Sequence, residues 1–410
     1  MNIATFVAKR IALSKEKSFG RFIIRLAAAA TTLSVMVMIV ALALTNGFQF
    51  TVSQKVFAFW GHIRVQHYEA YKIASAEETP IHKNDTVWQT LTSHPDIASV
   101  SSYATKSAIV KTPETIEGVL FKGLEKNYPF KRLDRFLTAG RWINFPDSGY
   151  SNEIVLSAYT AGQLKLKVGD AILIYFIQND GSSPRARKLT LTGIYKTGIE
   201  EYDHFIAIGD LRLIQRLNGW TPDEIAGYEI FLKDFRQAAR VNEEIFNALP
   251  QEWASRDIRE INPNLFDWLN LQDKTIALVL AIMTIVAVLN MVTCLIILTL
   301  ERTRMIGVLK ALGARNTMLQ RIFLNYGSII TITGILAGNL LALIICWLQQ
   351  RYGFIHLNEE MYYISKAEVK LEWWHFVLVD AGTFVVCYLI LIIPTLIIRR
   401  IQPVRAIQFR

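Results

Sequence analysis

The sequence predicts a membrane all-α protein of four transmembrane helices, arranged one plus three, with a large mixed α/β extracytoplasmic domain inserted after the first helix. Three observations predict it. The 410 residues are 52% apolar with a mean hydropathy of +0.26, too apolar for a soluble chain and too polar for one held wholly in lipid. Four apolar runs, at about 22–44, 275–300, 322–348 and 375–398, are long enough to cross a bilayer core of ~30 Å, whereas residues 49–270 contain none. The net charge of +9 is concentrated beside those runs. Residues 1–25 carry Lys9, Arg10, Lys15, Lys17, Arg21 and Arg25 against Glu16. Residues 301–321 carry Arg302, Arg304, Lys310, Arg315 and Arg321 against Glu301, and the tail carries Arg399, Arg400, Arg405 and Arg410. The rest of the chain is net acidic. Such placement argues for topology and anionic lipid rather than nucleic acid. All three basic segments then fall on one side.

In chain order, residues 2–18 read as a short helix with Ile3, Phe6, Val7 and Ile11 on one side, lying on the inner membrane face. The run 22–44 follows. Ala41-Leu42-Ala43 resembles a signal-peptide cleavage site, but the run exceeds the usual 7–15 residue signal core, which favours a retained span. The middle segment shows β-rich stretches at 61–67, 97–111, 115–122, 171–177, 187–195, 204–208 and 227–233. Helical spacing occurs near 86–93, 157–166, 210–218 and 234–248. Gln178–Lys188 has the Asn, Asp, Gly, Ser and Pro of a hairpin tip. The third run carries Gly334 and Gly338, a GxxxG that permits close helix approach. Residues 349–374 are slightly acidic and belong outside, and Trp373 and Trp374 mark an interface. The fourth run holds Asp380 about two turns inside its outer end, where a snorkelled or hydrogen-bonded acid is expected, and Pro394, which can kink its inner end. The cysteines, Cys294, Cys346 and Cys387, all sit in apolar runs and read as small packing residues.

Between the second and third runs lies ERTRMIGVLKALGARNTMLQR, Glu301–Arg321. Helical spacing puts Met305, Val308, Leu309 and Leu312 on one face and Thr303, Gly307 and Lys310 on the other. Glu301 is placed to open the helix and Gly313 to end it. A mid-helix glycine costs ~1 kcal/mol against alanine, so Gly307 predicts close approach by another surface. A plain basic loop that only fixes topology is the competing reading.

Glu301-Arg302-x-Arg304-x-Ile306-Gly307-Val308-Leu309-Lys310-Ala311-Leu312-Gly313-Ala314 resembles the coupling-helix signature of ABC-transporter permeases of the MacB/FtsX/lipoprotein-releasing superfamily. The resemblance implies that Glu301, Arg302, Arg304, Met305, Gly307, Lys310, Gly313 and Ala314 contact a cytoplasmic ATPase subunit. Met305 stands where that family usually has an acid. Asn46-Gly47-Phe48 after the first run, and Gly61-His62-Ile63 before a strand, are similar to the lipoprotein-releasing (Lol) permeases in particular. Leu164-x-Leu166-x-Val168-Gly169-Asp170 and Leu191-Thr192-Gly193-Ile194-Tyr195 resemble the family's periplasmic domain.

The resemblance covers nearly the whole chain and implies these boundaries: a cytoplasmic amphipathic segment 1–21, transmembrane helix 1 at 22–46, a periplasmic α/β domain 47–272, helix 2 at 273–300, a coupling loop 301–321, helix 3 at 322–348, a periplasmic loop 349–374, helix 4 at 375–398 and a cytoplasmic tail 399–410. It further implies an inner-membrane subunit that uses a partner's ATP hydrolysis to extract lipoproteins from the outer leaflet, working with a second permease, identical or related. A lipid cavity is expected from Phe48, Phe50, Val56, Phe57, Phe59, Trp60, Leu269 and Ile276, with Leu265 and Phe266 beside them; an interface belt and domain core is the alternative for these aromatics. Pro184, Arg185 and Arg187 are candidates for contact with a periplasmic lipoprotein chaperone, or form a solvated turn. The alternative functions are an FtsX-like signalling subunit acting on a cell-wall hydrolase, and MacB-like efflux of peptides or amphiphiles.

No catalytic constellation stands out. The chain lacks G-x-x-x-x-G-K-[ST], H-E-x-x-H and paired C-x-x-C. ATP and Mg²⁺ therefore belong to the partner ATPase, and neither a cofactor nor an enzymatic activity is expected of this chain. Glu200, Glu201, Asp203 and His204 form the nearest metal-like cluster, without a second cluster to complete a site. His62 and His67 fall on opposite faces of one strand.

Overall fold

The computed structural model describes residues 19–71, 79–178 and 182–395. The expected N-terminal segment 1–18, the tail 399–410 and the centre of the 178–188 tip lie outside the described residues. In chain order the elements are α1 (Phe19–Trp60), β1 (Ile63–His67), β2 (Ile81–His82), α2 (Asp85–Ser93), β3 (Ile97–Lys111), β4 (Ile116–Leu124), β5 (Leu137–Gly140), β6 (Glu153–Ser157), α3 (Ala158–Gln163), β7 (Ala171–Phe176) and β8 (Arg185–Tyr195). There follow α4 (Glu200–Phe205), β9 (Ile206–Asp210), α5 (Leu211–Asn218), β10 (Glu224–Ile225), β11 (Gly227–Leu232), α6 (Ala238–Ala248), β12 (Trp253–Asp257) and α7 (Ile258–Ile261). The last elements are α8 (Pro263–Glu301), α9 (Thr303–Ala311), α10 (Asn316–Tyr352), α11 (Glu359–Tyr362) and α12 (Trp373–Thr395). They form two compact units: residues 1–50, 268–356 and 366–410, and residues 51–267 with 357–365.

The first unit contains the apolar helices. Among the described residues, α1, α8, α10 and α12 are long and apolar enough to cross a membrane. They pack through two clusters. One joins Ile23, Leu295, Leu298, Phe323, Tyr326 and Leu391, and the other joins Val35, Ile39, Leu42, Ile335, Ala342 and Val379. Gly334 and Gly338 set the approach of α10 to α1. A Cβ on Gly334 would lie 2.8 Å from the Thr31 Cβ, and one on Gly338 would lie 2.8 Å from the Val35 Cβ. Without a hydrophobic drive between helices in lipid, such close backbone packing is what holds a pair together. Asp380 accepts a hydrogen bond from Asn339 Nδ2 at 2.8 Å, joining α12 to α10. All three cysteines are buried.

Asn46-Gly47-Phe48 acquires a physical reading within this unit. A Cβ on Gly47 would lie 2.2 Å from the Glu368 carbonyl oxygen, so only glycine lets that backbone cross the helix. Lys370 N–H donates to the Ala43 carbonyl at 3.0 Å beside it. Asn46 hydrogen-bonds His375 at 3.3 Å, and Phe48 packs edge-on against Trp268 at 5.4 Å.

Two helices are longer than the apolar runs suggested. α1 does not stop near Leu44 but continues to Trp60, and α8 begins at Pro263 rather than near Thr275. The cause in α1 is a buried stripe, Phe48, Val52, Val56 and Phe59, at spacings of four, four and three. In α8, Pro263 sits in the first turn, where its missing N–H costs nothing.

The second unit is built on a ten-stranded sheet of order β12-β1-β11-β3-β4-β9-β6-β8-β5, with β7 bridging β3 and β8, and a separate β10-β2 pair. β4·β9 and β6·β8 are parallel; β3·β4 and β7·β8 are antiparallel hairpins. The strands β5, β6 and β12 were not apparent in the pattern. β6 is buried at nearly every position, so it lacks the alternation that marks a half-exposed strand.

The end of α1 lies in this unit, and its last carbonyls are capped from the sheet. Gly61, at φ +70, returns its N–H to the Phe57 carbonyl at 2.9 Å, the left-handed stop that glycine favours. Tyr128 Oη donates to the Ala58 carbonyl at 3.2 Å, and the Lys122 ammonium donates to the Phe59 carbonyl. Lys122 also lies 2.6 Å from Glu229 and 4.2 Å from the centre of the Trp60 ring. A cation at a helix C-terminus is favourable, and here it is fully buried with its counter-ion. His62, buried beside Phe57, accepts the Leu232 N–H on Nδ1 at 3.0 Å. Gly61-His62-Ile63 is thus a helix stop, a neutral acceptor and a buried first strand residue.

Two outcomes follow. Lys122→Met strands Glu229 in the interior and should cost about 3–5 kcal/mol; adding Glu229→Leu should restore part of that loss in denaturant titrations, and a double variant no more stable than the single would refute the pairing. Burial pushes the His62 pKa down to about 4. The folded state therefore resists a proton that the unfolded chain takes near 6.5. Stability should fall by about 3 kcal/mol as pH drops from roughly 6.5 to 4, then level off. His62→Gln should flatten that slope in urea midpoints measured across the range.

Candidate functional site

The segment 301–314 lies wholly within the first unit. Glu301 closes α8 rather than opening the next helix, Arg302 breaks the path at φ −97, and α9 runs Thr303–Ala311. Gly313, at φ +91, ends it. Gly313 N–H reaches the Lys310 carbonyl at 3.0 Å and Ala314 N–H reaches Leu309 at 2.9 Å, the paired bonds of a Schellman stop.

The faces of α9 are not those the spacing suggested. Ile306 and Gly307 are buried, and Met305, Leu309 and Ala314 pack against the cluster of Leu298, Leu319, Ile322 and Phe323. Val308 is 44% exposed and Leu312 is 79% exposed. The open face therefore runs Arg304, Val308, Ala311, Leu312, with Arg315 beyond. Gly307 is buried and so does not present the bare contact face that the spacing suggested. Apolar residues occur on most sides of this short helix, and spacing alone could not select among them. The burial of Ile306 decides the rotation. Lys310 is partly buried.

The residues expected to line a lipid cavity fall into separate packed groups. Within the second unit, Val56, Phe57, Phe59 and Trp60 are buried. Phe57 meets Phe235 at 5.2 Å and Phe266 at 6.0 Å, while Phe59 meets Phe136, Tyr195 and Tyr202 at 5.3–5.6 Å. Neighbours two apart on a helix point in different directions, so the two rings enter different parts of the core. Within the first unit, Phe48 and Leu269 are buried, Ile276 is half-buried, and Phe50 is 38% exposed beneath the Lys370 ammonium at 3.8 Å. Within each unit the buried members of this set pack as core, while Phe50 stays partly exposed.

Of the three chaperone-contact candidates, only Pro184 lies in the connection between β7 and β8. Arg185 and Arg187 are the first residues of β8, and Arg185 donates to the Leu217 carbonyl at 2.8 Å. In the metal-like cluster, Asp203 is buried and accepts Thr197 and Gly198 N–H at 2.9 Å, while His204 stacks on Tyr159 at 3.6 Å. Among the described residues no group of three His, Cys, Asp or Glu side chains could hold a metal ion. Lys55, Lys122 and Glu229 were missed by sequence reading. A lysine between Phe121 and Gly123 inside a buried strand is the one signal that marked Lys122.

Residues 26–247 match the MacB-like periplasmic core domain and residues 277–403 match the FtsX-like permease C-terminal region. The chain is 26% identical over 434 aligned positions to the lipoprotein-releasing system transmembrane protein LolE of Haemophilus influenzae, covering 100% of each. It is 22% identical to LolC of Xylella fastidiosa over 96% of each chain, and 22% identical to LolC of Neisseria meningitidis over 96% of each. Among solved structures, the periplasmic region of MacB from Actinobacillus actinomycetemcomitans aligns with a TM-score of 0.36 at 12% identity, over 50% of this chain and 91% of that one.

The rotation of α9 separates two substitutions. Gly307→Leu overfills a buried contact and should lower thermal stability in detergent by about 1–3 kcal/mol, while Leu312→Ser should stay within ~0.5 kcal/mol of wild type. Equal melting temperatures for the two would contradict this placement.

Proposed function

This chain belongs to the family of the MacB-like periplasmic core domain, with an FtsX-like permease C-terminal region, and from that membership we propose that it is the permease subunit of an ABC transporter that releases lipoproteins from the inner membrane toward the outer membrane. The observation that carries the reading is α9: a short helix between two apolar spans, folded onto the membrane unit, with Val308 and Leu312 open and Arg304 and Arg315 beside them. An apolar ridge flanked by cations suits a groove with an acidic rim on a partner protein. The partner is a cytoplasmic ATPase subunit, which supplies ATP and Mg²⁺. Similarity to LolE and LolC over nearly the whole length supports the substrate class.

The proposed work is mechanical. Nucleotide-driven motion of the ATPase moves α9, and α8 adjoins α9 through the single residue Arg302. Both α1 and α8 are unbroken, and a hydrogen-bonded helix transmits displacement along its axis. The bias of basic residues supports termini and α9 on the cytoplasmic side and the α/β unit in the periplasm. Apolar faces stay open on the membrane unit, with Leu278, Ile282, Ile285 and Leu289 on α8 and Leu26 and Leu33 on α1. A second permease subunit, identical or related, set across them would enclose apolar space. Each acyl CH₂ moved there from water is worth ~0.8 kcal/mol. A periplasmic chaperone would receive the lipoprotein.

Reconstitution with the ATPase and the second permease in proteoliposomes holding a labelled lipoprotein should give ATP-dependent release. Leu312→Asp should reduce co-purification of the ATPase by about tenfold or more. Release that proceeds without ATP, or full ATPase binding by Leu312→Asp, would reject the proposal.

A further inference from the structure

Leu357–Ser365, which joins α10 to α12 in sequence, belongs to the second unit and carries α11. It closes on itself, with Leu357 N–H donating to the Ser365 carbonyl at 3.1 Å. Two cations fasten it. The half-buried Lys55 ammonium, on the last turns of α1, donates to the Thr197 carbonyl and the Tyr363 carbonyl, each at 2.5 Å. Lys196 pairs with Glu359 at 2.5 Å. The turn beneath is tied together by hydrogen bonds and leaves room for this loop. Asp203 binds the N–H groups of Thr197 and Gly198, and Thr197 Oγ1 donates to it at 2.8 Å. Gly198, at φ +76, leaves room for the Glu359 carboxylate: a Cβ there would lie 2.5 Å from Oε1.

The loop itself is shallow. Ile364 is its buried apolar anchor, while Met361 and Tyr362 are 66% and 40% exposed. Tyr363 is held at φ +61, a left-handed conformation unfavourable for a bulky side chain. That strain persists only while the surroundings enforce it, and the Lys55 bond to its carbonyl is part of the enforcement. A segment with polar ties, little buried apolar area and stored backbone strain belongs to the low-stability end of a fold.

We propose that Leu357–Ser365 is a releasable strap, latched to the turn Thr197–Ile199 by Lys55 and Glu359, and that it opens as a unit while the sheet beneath stays folded. Opening breaks both cationic ties together and lets Tyr363 leave the left-handed region. The latch needs neither the ATPase nor a lipoprotein, so failure of lipoprotein release would leave it standing.

Hydrogen exchange of the full chain in lipid nanodiscs tests it. In the wild type the Tyr362 and Tyr363 amides, bonded to the Asn358 and Glu359 carbonyls, should exchange about a hundredfold or more faster than the central amides of β3 and β8. Lys55→Met and Glu359→Gln should each speed them by about a further tenfold, the effect of losing one charge-assisted bond, with β3 unchanged. Strap amides as protected as the sheet in the wild type, or unaltered in the variants, would overturn the proposal. Should Lys55→Met also loosen β3, the partly exposed Glu359→Gln alone decides, by the same two outcomes.

Discussion

A helix end cannot be buried unless its last carbonyls find donors, and α1 ends inside an α/β core. That requirement organises the second unit. Gly61, Tyr128 and Lys122 supply donors to Phe57, Ala58 and Phe59 in turn, the first from the residue after the helix and the other two from the end of β4 and the turn beyond it. Lys122 on β4 is neutralised by Glu229 on β11, which lies across the intervening strand β3. Arg64 joins the same neighbourhood, lying 4.6 Å from the Trp60 ring and donating to Tyr103 Oη, which in turn donates to Gln66. The sheet's central strands are therefore selected for polar chemistry at positions where an ordinary core would take valine.

The membrane unit meets a different constraint. Lipid gives apolar helices no reason to prefer one another over acyl chains, so specificity comes from close approach and a few polar links. Gly334 and Gly338 against Thr31 and Val35, and Asn339 with Asp380, are the two kinds of link present. Gly47 belongs to the same logic, admitting a crossing backbone where a methyl group would collide.

Much of this was legible in the chain, and the reasons differ by residue. The four apolar runs and the one-plus-three order follow from hydropathy and basic flanks. Strands β3, β4, β7, β8 and β11 announced themselves through β-branched and alternating residues. The continuation of α1 past Leu44 did not, because hydropathy falls there while the buried stripe from Phe48 to Phe59 goes on. The rotation of α9 was hidden by its short length and by apolar residues on most sides. The aromatics after Phe48 were legible as important, but the chain left a lipid site and a packed core both open, since a bulky apolar residue suits either equally well. Lys55 and Glu229 were silent and Lys122 nearly so, because a charged residue in a strand or helix normally faces water and only the tertiary arrangement reveals otherwise.

The positions of the three cysteines have a practical meaning. Cys294, Cys346 and Cys387 are all buried in α8, α10 and α12, and thiolate chemistry needs both access and charge stabilisation. Water-soluble maleimides should pass the native chain by, so any single thiol engineered at an aqueous position would report its own side of the bilayer against a silent background.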